Sequence, residues 1–277
     1  MEEFIIPKSL NEALRIMSEM DVEPFAGGTD IMVKYRYDKP AKPFLFIGDL
    51  KELRYVKDDG EYIRIGSSTT YSELLENRNI DKIFKEIIKK IASPSIRNRG
   101  TIGGNICNAS PAADTLPFLY GMDCEVQIVS INNSRFIPIK DFIISPKRTL
   151  ILKNELLKEI RYKKEKFNKY FYRKIGLRNA NSLSKLSFFG CARIKKNIIE
   201  DIRISMGAVS PVVAREREIE KMLLGLDKKG LNSIKEEIIK RYEDIIHPID
   251  DQRSTAEYRR EIVLRILNYF LENIYII

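Results

Sequence analysis

Histidine and cysteine are scarce in this chain of 277 residues, which holds one of the first and three of the second. The lone histidine, His247, is followed by Pro248 and reads as a loop residue. One imidazole argues against a multi-histidine metal site and against a His-based triad. Cys107, Cys124 and Cys191 lie far apart and are odd in number, which argues against a disulfide framework. None has a neighbour at zinc or iron–sulfur spacing, so no metal site is expected. No apolar run is long enough to cross a bilayer, and no membrane span is expected. The amino end, Met1-Glu2-Glu3-Phe4-Ile5-Ile6-Pro7, lacks the basic start and long apolar stretch of a signal peptide. A cytoplasmic location is the expectation. Internal repeats and low-complexity tracts are missing as well.

What is present suits a soluble protein. Hydrophobic residues make up 44% and charged residues 31%, enough for a core and a polar surface. The length fits one large domain or two modest ones. The net charge is +9, a balance compatible with nucleic acid, a membrane surface or acidic proteins. Between Lys163 and Lys174, basic residues alternate with Phe167, Tyr170, Phe171 and Tyr172, one pattern of single-strand binding. No recognised nucleic-acid motif accompanies it. The stretch reads as a solvated linker entering a strand, and no nucleic-acid partner is expected.

Periodicity gives the organisation. Ser9 to Met20 is predicted as a helix, with Ser9 as cap, Glu12 at the capping-box position and Leu10, Ala13, Leu14 and Met17 on one face. Val22 to Ala26 and Phe44 to Ile47 read as strands, with a short helix from Ile31 between them, a small α/β unit. Tyr62 to Gly66, Cys124 to Val129, Arg135 to Ile139 and Leu156 to Tyr162 read as strands of a mainly antiparallel α+β unit. It also has helices at Tyr71 to Leu75 and Ile83 to Ile91. Thr101 to Asn108 is too rich in Gly and Asn for a regular element. Ser110-Pro111 is expected to open a helix. Beyond the charged run Lys163 to Lys169 come strands at Phe171 to Leu177, Ser187 to Ile194 and Asp201 to Ala208. Helices follow at Val213 to Leu223, Asn232 to Ile246 and Ala256 to Asn273. The fold class is therefore α+β: a two-part domain over residues 1–165, with parts at about 1–55 and 56–165, then a smaller domain over 168–277 with three antiparallel strands and three helices.

Two glycine segments carry chemistry. Pro24-Phe25-Ala26-Gly27-Gly28-Thr29-Asp30 lets the backbone turn sharply and approach a ligand. Successive N–H groups there suit a phosphate, and the Thr29 hydroxyl adds a donor. Alone, such a turn is commonly an ordinary tight turn. Thr101-Ile102-Gly103-Gly104-Asn105 repeats the pairing and leads toward Ser110-Pro111-Ala112-Ala113-Asp114, where a helix start favours negative charge. Asp114 suits a sugar hydroxyl; the plainer reading is a first-turn carboxylate complementing the helix dipole. Two such turns fit the two phosphates of a dinucleotide. Neither follows Gly-x-Gly-x-x-Gly, which disfavours a Rossmann site.

Together with Ile65-Gly66-Ser67-Ser68-Thr69-Thr70, Ser95-Ile96-Arg97-Asn98, Arg173-Lys174-Ile175-Gly176-Leu177-Arg178 and Ala256-Glu257-Tyr258-Arg259-Arg260, these segments carry a resemblance. Over nearly its whole length the chain resembles the FAD-binding medium subunit of the xanthine dehydrogenase family of molybdenum hydroxylases. The resemblance implies FAD extended between the halves of a two-part domain. It places Ala26 to Asp30 around the pyrophosphate with Glu23, Pro24 and Phe25 along the approach, Thr101 to Asn105 as the other wall, and Asp114 at the ribose. It places Leu156 near the flavin or adenine and Lys174 near the isoalloxazine edge. Lys174 would then stabilise charge on reduced flavin; an exposed strand-edge charge is the alternative. The run Asn181-Ser182-Leu183-Ser184-Lys185 departs from the Asp-Ile-Ala-like run of many relatives.

The resemblance also implies partners: a large subunit with the molybdenum cofactor and a small subunit with two 2Fe-2S clusters. Electrons would reach FAD from the clusters and leave as hydride to NAD, in a xanthine or purine dehydrogenase. The chain would be an oxidoreductase subunit with no nucleophile or acid–base catalyst of its own. Alternatives are the flavin subunit of a carbon monoxide, nicotinate or aromatic hydroxylase, and an assembly subunit that does not bind FAD alone. A stand-alone flavoenzyme resembling the enolpyruvyl-glucosamine reductases is disfavoured by the missing substrate domain.

Overall fold

The computed structural model describes residues 4–37, 39–178 and 181–276. Two compact units form. The first comprises Met1–Lys85, Ile91–Ser110 and Asp123–Lys164; the second comprises Glu86–Lys90, Pro111–Met122 and Glu165–Ile277. The fold is α+β, as expected.

The first unit begins with a parallel sheet of three short strands, Phe4–Ile5, Phe44–Phe46 and Glu23–Phe25, with Phe44–Phe46 in the middle. Parallel strands need crossover connections, and the helix Leu10–Glu19 makes the one that joins the two edge strands. The Ser9 hydroxyl accepts the Glu12 N–H at 3.2 Å. Its buried residues, Ala13, Leu14 and Met17, share a core with Leu45, Ile47 and Leu53. The rest of the unit is an antiparallel sheet in the order Val56–Asp58, Tyr62–Gly66, Leu156–Lys163, Glu125–Val129, Ser134–Pro138.

The second unit is an antiparallel sheet of Lys169–Gly176, Ser184–Lys195 and Ile198–Gly207, with Ser184–Lys195 central. Leu186 and Phe188 on the central strand share a core with Tyr242 of the helix Lys228–Ile245 and with Leu267 and Phe270 of the helix Ala256–Asn273. Residues of the opposite parity face the short helix Leu116–Gly121. There the rings of Phe189 and Phe118 meet edge-to-face at 5.3 Å. A methyl group on Gly121 would lie 2.6 Å from the Phe189 ring. The central strand is thus covered on both faces, which explains its long apolar run. Arg259 is almost fully buried; it donates to the Ala208 carbonyl at 3.1 Å and pairs with Asp251 at 2.5 Å.

Three expectations need correction. Thr101 to Asn108 is not irregular: Ile102–Cys107 is a helix, capped by the Thr101 hydroxyl, which accepts the Gly104 N–H at 3.2 Å. Tertiary packing overrides the low helix propensity of the glycine pair, because Gly103 sits where a methyl group would come within 2.5 Å of Ser67 Cβ. Ser110-Pro111 does not open a helix. Residues 111–115 form turns, and the helix Leu116–Gly121 starts later with Pro117 in its first turn, where a missing N–H costs nothing. The helix expected from Val213 is shorter, Arg217–Lys221. Ala214 instead exchanges both backbone hydrogen bonds with Met206, at 2.9 Å each, which holds that stretch extended.

Candidate functional site

The first glycine turn leaves the strand Glu23–Phe25 and enters the short helix Ile31–Lys34. Gly28 has φ +74°, a left-handed conformation that glycine adopts freely. Gly27 lies against another backbone: a methyl group there would be 1.8 Å from the Arg99 carbonyl oxygen. A methyl group on Gly100 would be 3.4 Å from Thr29 Oγ1. The first glycine segment therefore meets the backbone that leads into the second, at Gly27–Thr29 and Arg99–Gly100. Among the described residues, the N–H groups of Gly27, Gly28, Thr29, Asp30 and Ile31 have no acceptor within the protein. Consecutive unpaired N–H groups in a turn make an anion cradle.

The second segment is built differently. Its N–H groups from Ile102 to Asn105 are spent: Ile102 donates to the Thr69 carbonyl at 3.1 Å, Gly103 to Ser67 at 2.8 Å and Asn105 to Thr101 at 3.1 Å. Gly104 donates to the Thr101 hydroxyl. From Ile102 to Asn105 the segment offers no backbone donors to a phosphate; it offers exposed Gly104, a surface without a side chain. Behind it stands the Ile65–Thr70 motif. Ser68 Oγ donates to the Ile47 carbonyl at 3.1 Å, Thr69 Oγ1 to the Tyr55 carbonyl at 3.0 Å, and Thr70 caps the helix Tyr71–Glu76 reciprocally with Glu73. Ser67 Oγ, beside Gly103, is buried with no hydrogen-bond partner among the described residues. A buried hydroxyl left open is a cost that a bound polar ligand removes.

Asp114 and Lys174 belong to the second unit. Lys174 Nζ is 2.6 Å from Asp114 Oδ2 and 2.8 Å from the Lys90 carbonyl oxygen. The Lys174 side chain is 10% exposed and that of Asp114 8%. Ser184 Oγ donates to the other Asp114 oxygen. Burial pushes the Asp114 carboxyl above its ordinary value, and Lys174 and Ser184 pull against it. Lys174 is neither an exposed strand-edge charge nor a free cation: it is committed to Asp114. Asp114 is not a first-turn helix carboxylate, since the helix begins after it.

The remaining expected residues are dispersed around the first unit. Glu23 accepts from Tyr35 and lies 3.6 Å from Lys34 Nζ. Pro24 is exposed, and Phe25 is buried with its ring centroid 5.2 Å from that of Phe44. Ala26 and Leu156 pack in the core that holds Leu45. Ser67 and Ser184 were not among the residues expected at the site. Ser67 lies in a motif the sequence had singled out, whereas Ser184 lies in the run that departs from the pattern.

The cradle, the glycine surface and the open hydroxyl fit a phosphate-bearing ligand such as FAD, and comparison with known proteins agrees. Residues 1–162 match the FAD binding domain in molybdopterin dehydrogenase, and residues 171–274 match the carbon monoxide dehydrogenase flavoprotein C-terminal domain. The chain is 32% identical over 266 residues to the glyceraldehyde dehydrogenase medium chain of Sulfolobus acidocaldarius, covering 94% of this chain and 93% of that one. It is 26% identical to the xanthine dehydrogenase FAD-binding subunit of Escherichia coli O157:H7, covering 92% and 89%. The solved carbon monoxide dehydrogenase of Hydrogenophaga pseudoflava superposes with a TM-score of 0.89 at 25% identity, over 99% of this chain and 96% of that chain. The protein belongs to the FAD-binding medium subunits of the molybdenum hydroxylases, a family of oxidoreductases.

Proposed function

We propose that this chain holds FAD with its diphosphate on the Gly27–Ile31 turn, and that one observation carries the reading: five consecutive N–H groups without a partner among the described residues, braced by the Arg99–Gly100 backbone. In this reading Glu23, Pro24, Phe25 and Ala26 shape the approach, and Thr29 adds a hydroxyl to Gly27, Gly28 and Asp30. Thr101, Ile102, Gly103, Gly104 and Asn105 form the opposite wall, Ile102 to Asn105 by closeness and not by donation. Within the second unit, Lys174 fixes Asp114 as an acceptor suited to a sugar-alcohol hydroxyl. Leu156 supports the wall from the core. FAD suits the task because it exchanges electrons singly on one side and as a pair on the other. The protein supplies binding, orientation and electrostatics. An absorbance spectrum of the purified chain, taken after FAD is added and excess removed, tests this. About one FAD per chain is expected, and a colourless folded protein overturns it.

The same reading extends to a complex. The chain receives electrons from 2Fe-2S clusters of a small subunit, a large subunit carries the molybdenum cofactor and transforms the organic substrate, and NAD accepts the hydride. The relatives named above act, by name, on glyceraldehyde, xanthine and carbon monoxide at similar identities, so substrate choice rests with the large subunit. Of these substrates, xanthine or another purine is the one our reading retains. Co-purification of the native chain tests the partners. Anaerobic mixing of the FAD-loaded chain with NADH tests the acceptor: bleaching of the flavin band supports NAD, and an unchanged band points to another acceptor.

A further inference from the structure

The turn proposed to receive the diphosphate carries a carboxylate, that of Asp30. Asp30 supplies the fourth of the five open N–H groups, its side chain is 64% exposed, and a dianionic ligand beside it meets like charge. Lys147 answers that charge. Its Nζ lies 3.6 Å from Asp30 Oδ2 and 2.5 Å from Asn108 Oδ1. Its backbone is pinned as well: the Lys147 N–H donates to the Ala109 carbonyl at 2.9 Å, and φ is +63°. A lysine in the left-handed region costs conformational energy that an ordinary surface position does not require. The strand pair Ile143–Ser145 and Arg148–Thr149 carries this turn, and Asn108 ends the helix Ile102–Cys107. Lys147 thus joins the first glycine turn to the end of the second glycine segment, all within the first unit.

We propose that Lys147 is a diphosphate-positioning residue: it neutralises Asp30 so that the Gly27–Ile31 turn accepts two negative charges, and Asn108 holds the ammonium in place. This assignment rests on the proposed FAD reading. The carboxylate of Asp30 orients the lysine and becomes a liability only when the lysine is gone.

The test is a double-mutant cycle on the purified chain, read by FAD fluorescence quenching across a salt series. Lys147→Met should raise Kd for FAD about tenfold at low salt and flatten its salt dependence. Lys147→Arg should stay near the wild type. Asp30→Asn placed in the Lys147→Met background should recover most of the lost affinity, since it removes the repulsion that Lys147 had offset. Both side chains are largely exposed, so melting temperatures serve as the folding control. Wild-type Kd and salt dependence in Lys147→Met overturn the assignment alone, as does a double variant no better than Lys147→Met. A wild-type chain that takes up no FAD overturns the flavin reading and this assignment together.

Discussion

Gly27 and Gly104 both border the proposed FAD site, yet a side chain at each meets a different obstacle. A methyl group on Gly27 would collide with the Arg99 carbonyl at 1.8 Å, and a backbone cannot swing aside as a side chain can. Gly27→Ala should therefore cost about 3 kcal/mol of stability and also lose FAD; urea unfolding and flavin retention measure the two. Gly104 is exposed, and a methyl group there meets only Thr101 Oγ1, at 2.9 Å. Gly104→Val should keep the fold and lose FAD binding, and normal FAD affinity in that variant would sink the second wall. Asp251 belongs to stability alone. Burial raises its carboxyl, but bonds from Arg253 and Arg259 outweigh this and leave it well below the ordinary 3.8. A lowered value in the folded state stabilises above the ordinary value and is lost as the pH falls below it. Asp251→Asn strands the buried Arg259 and should cost on the order of 3 kcal/mol at neutral pH. The gap to the wild type should close as pH drops below about 4, which thermal melts across pH will read.

At the scale of elements, the helix Ile102–Cys107 shows what the sequence could and could not convey. The flanking strands and long helices were legible because alternation and 3.6-residue periodicity are local signals: Tyr62–Gly66 and Ala256–Asn273 lie where the pattern put them. The glycine segments were also legible as a motif. Their division of labour was not, because it depends on where each N–H goes. The second segment turns the donors of Ile102 and Gly103 inward to Thr69 and Ser67, residues more than thirty positions upstream, whereas the first turn keeps five consecutive donors open among the described residues. Ser184 escaped for the same reason: its bond to Asp114 spans 70 positions. Thr101→Val tests the helical reading. It removes the cap on the Gly104 N–H and should cost about 1 kcal/mol. FAD affinity should weaken along with it, as the Gly104 surface loosens. A variant as stable as the wild type would show that packing against Ser67 alone forms the helix.

Across the whole molecule, sequence order and spatial grouping part company. The helix Leu116–Gly121 lies between stretches of the first unit in the sequence but belongs to the second. Leu116, Phe118 and Leu119 are each at most 2% exposed there. A fragment ending at Lys164 keeps that helix and loses the strands Ser184–Lys195 and Ile198–Gly207 that cover it. It should aggregate or bind a hydrophobic dye, where the full chain does not. Size-exclusion chromatography of the fragment decides the matter: a monomer with a cooperative unfolding transition would contradict this grouping.

The same helix sets a timetable for biosynthesis. Gly121 leaves the ribosome roughly 70 residues before Phe189, the ring against which it packs, and at about 5–20 residues per second that interval lasts several seconds. Through that interval the first unit is completed, with Lys164, while the nascent chain carries an uncovered apolar segment in its middle. Rare codons or pauses between Glu165 and Ser205 would lengthen the exposure, and chaperone demand for this protein should concentrate in that window of translation.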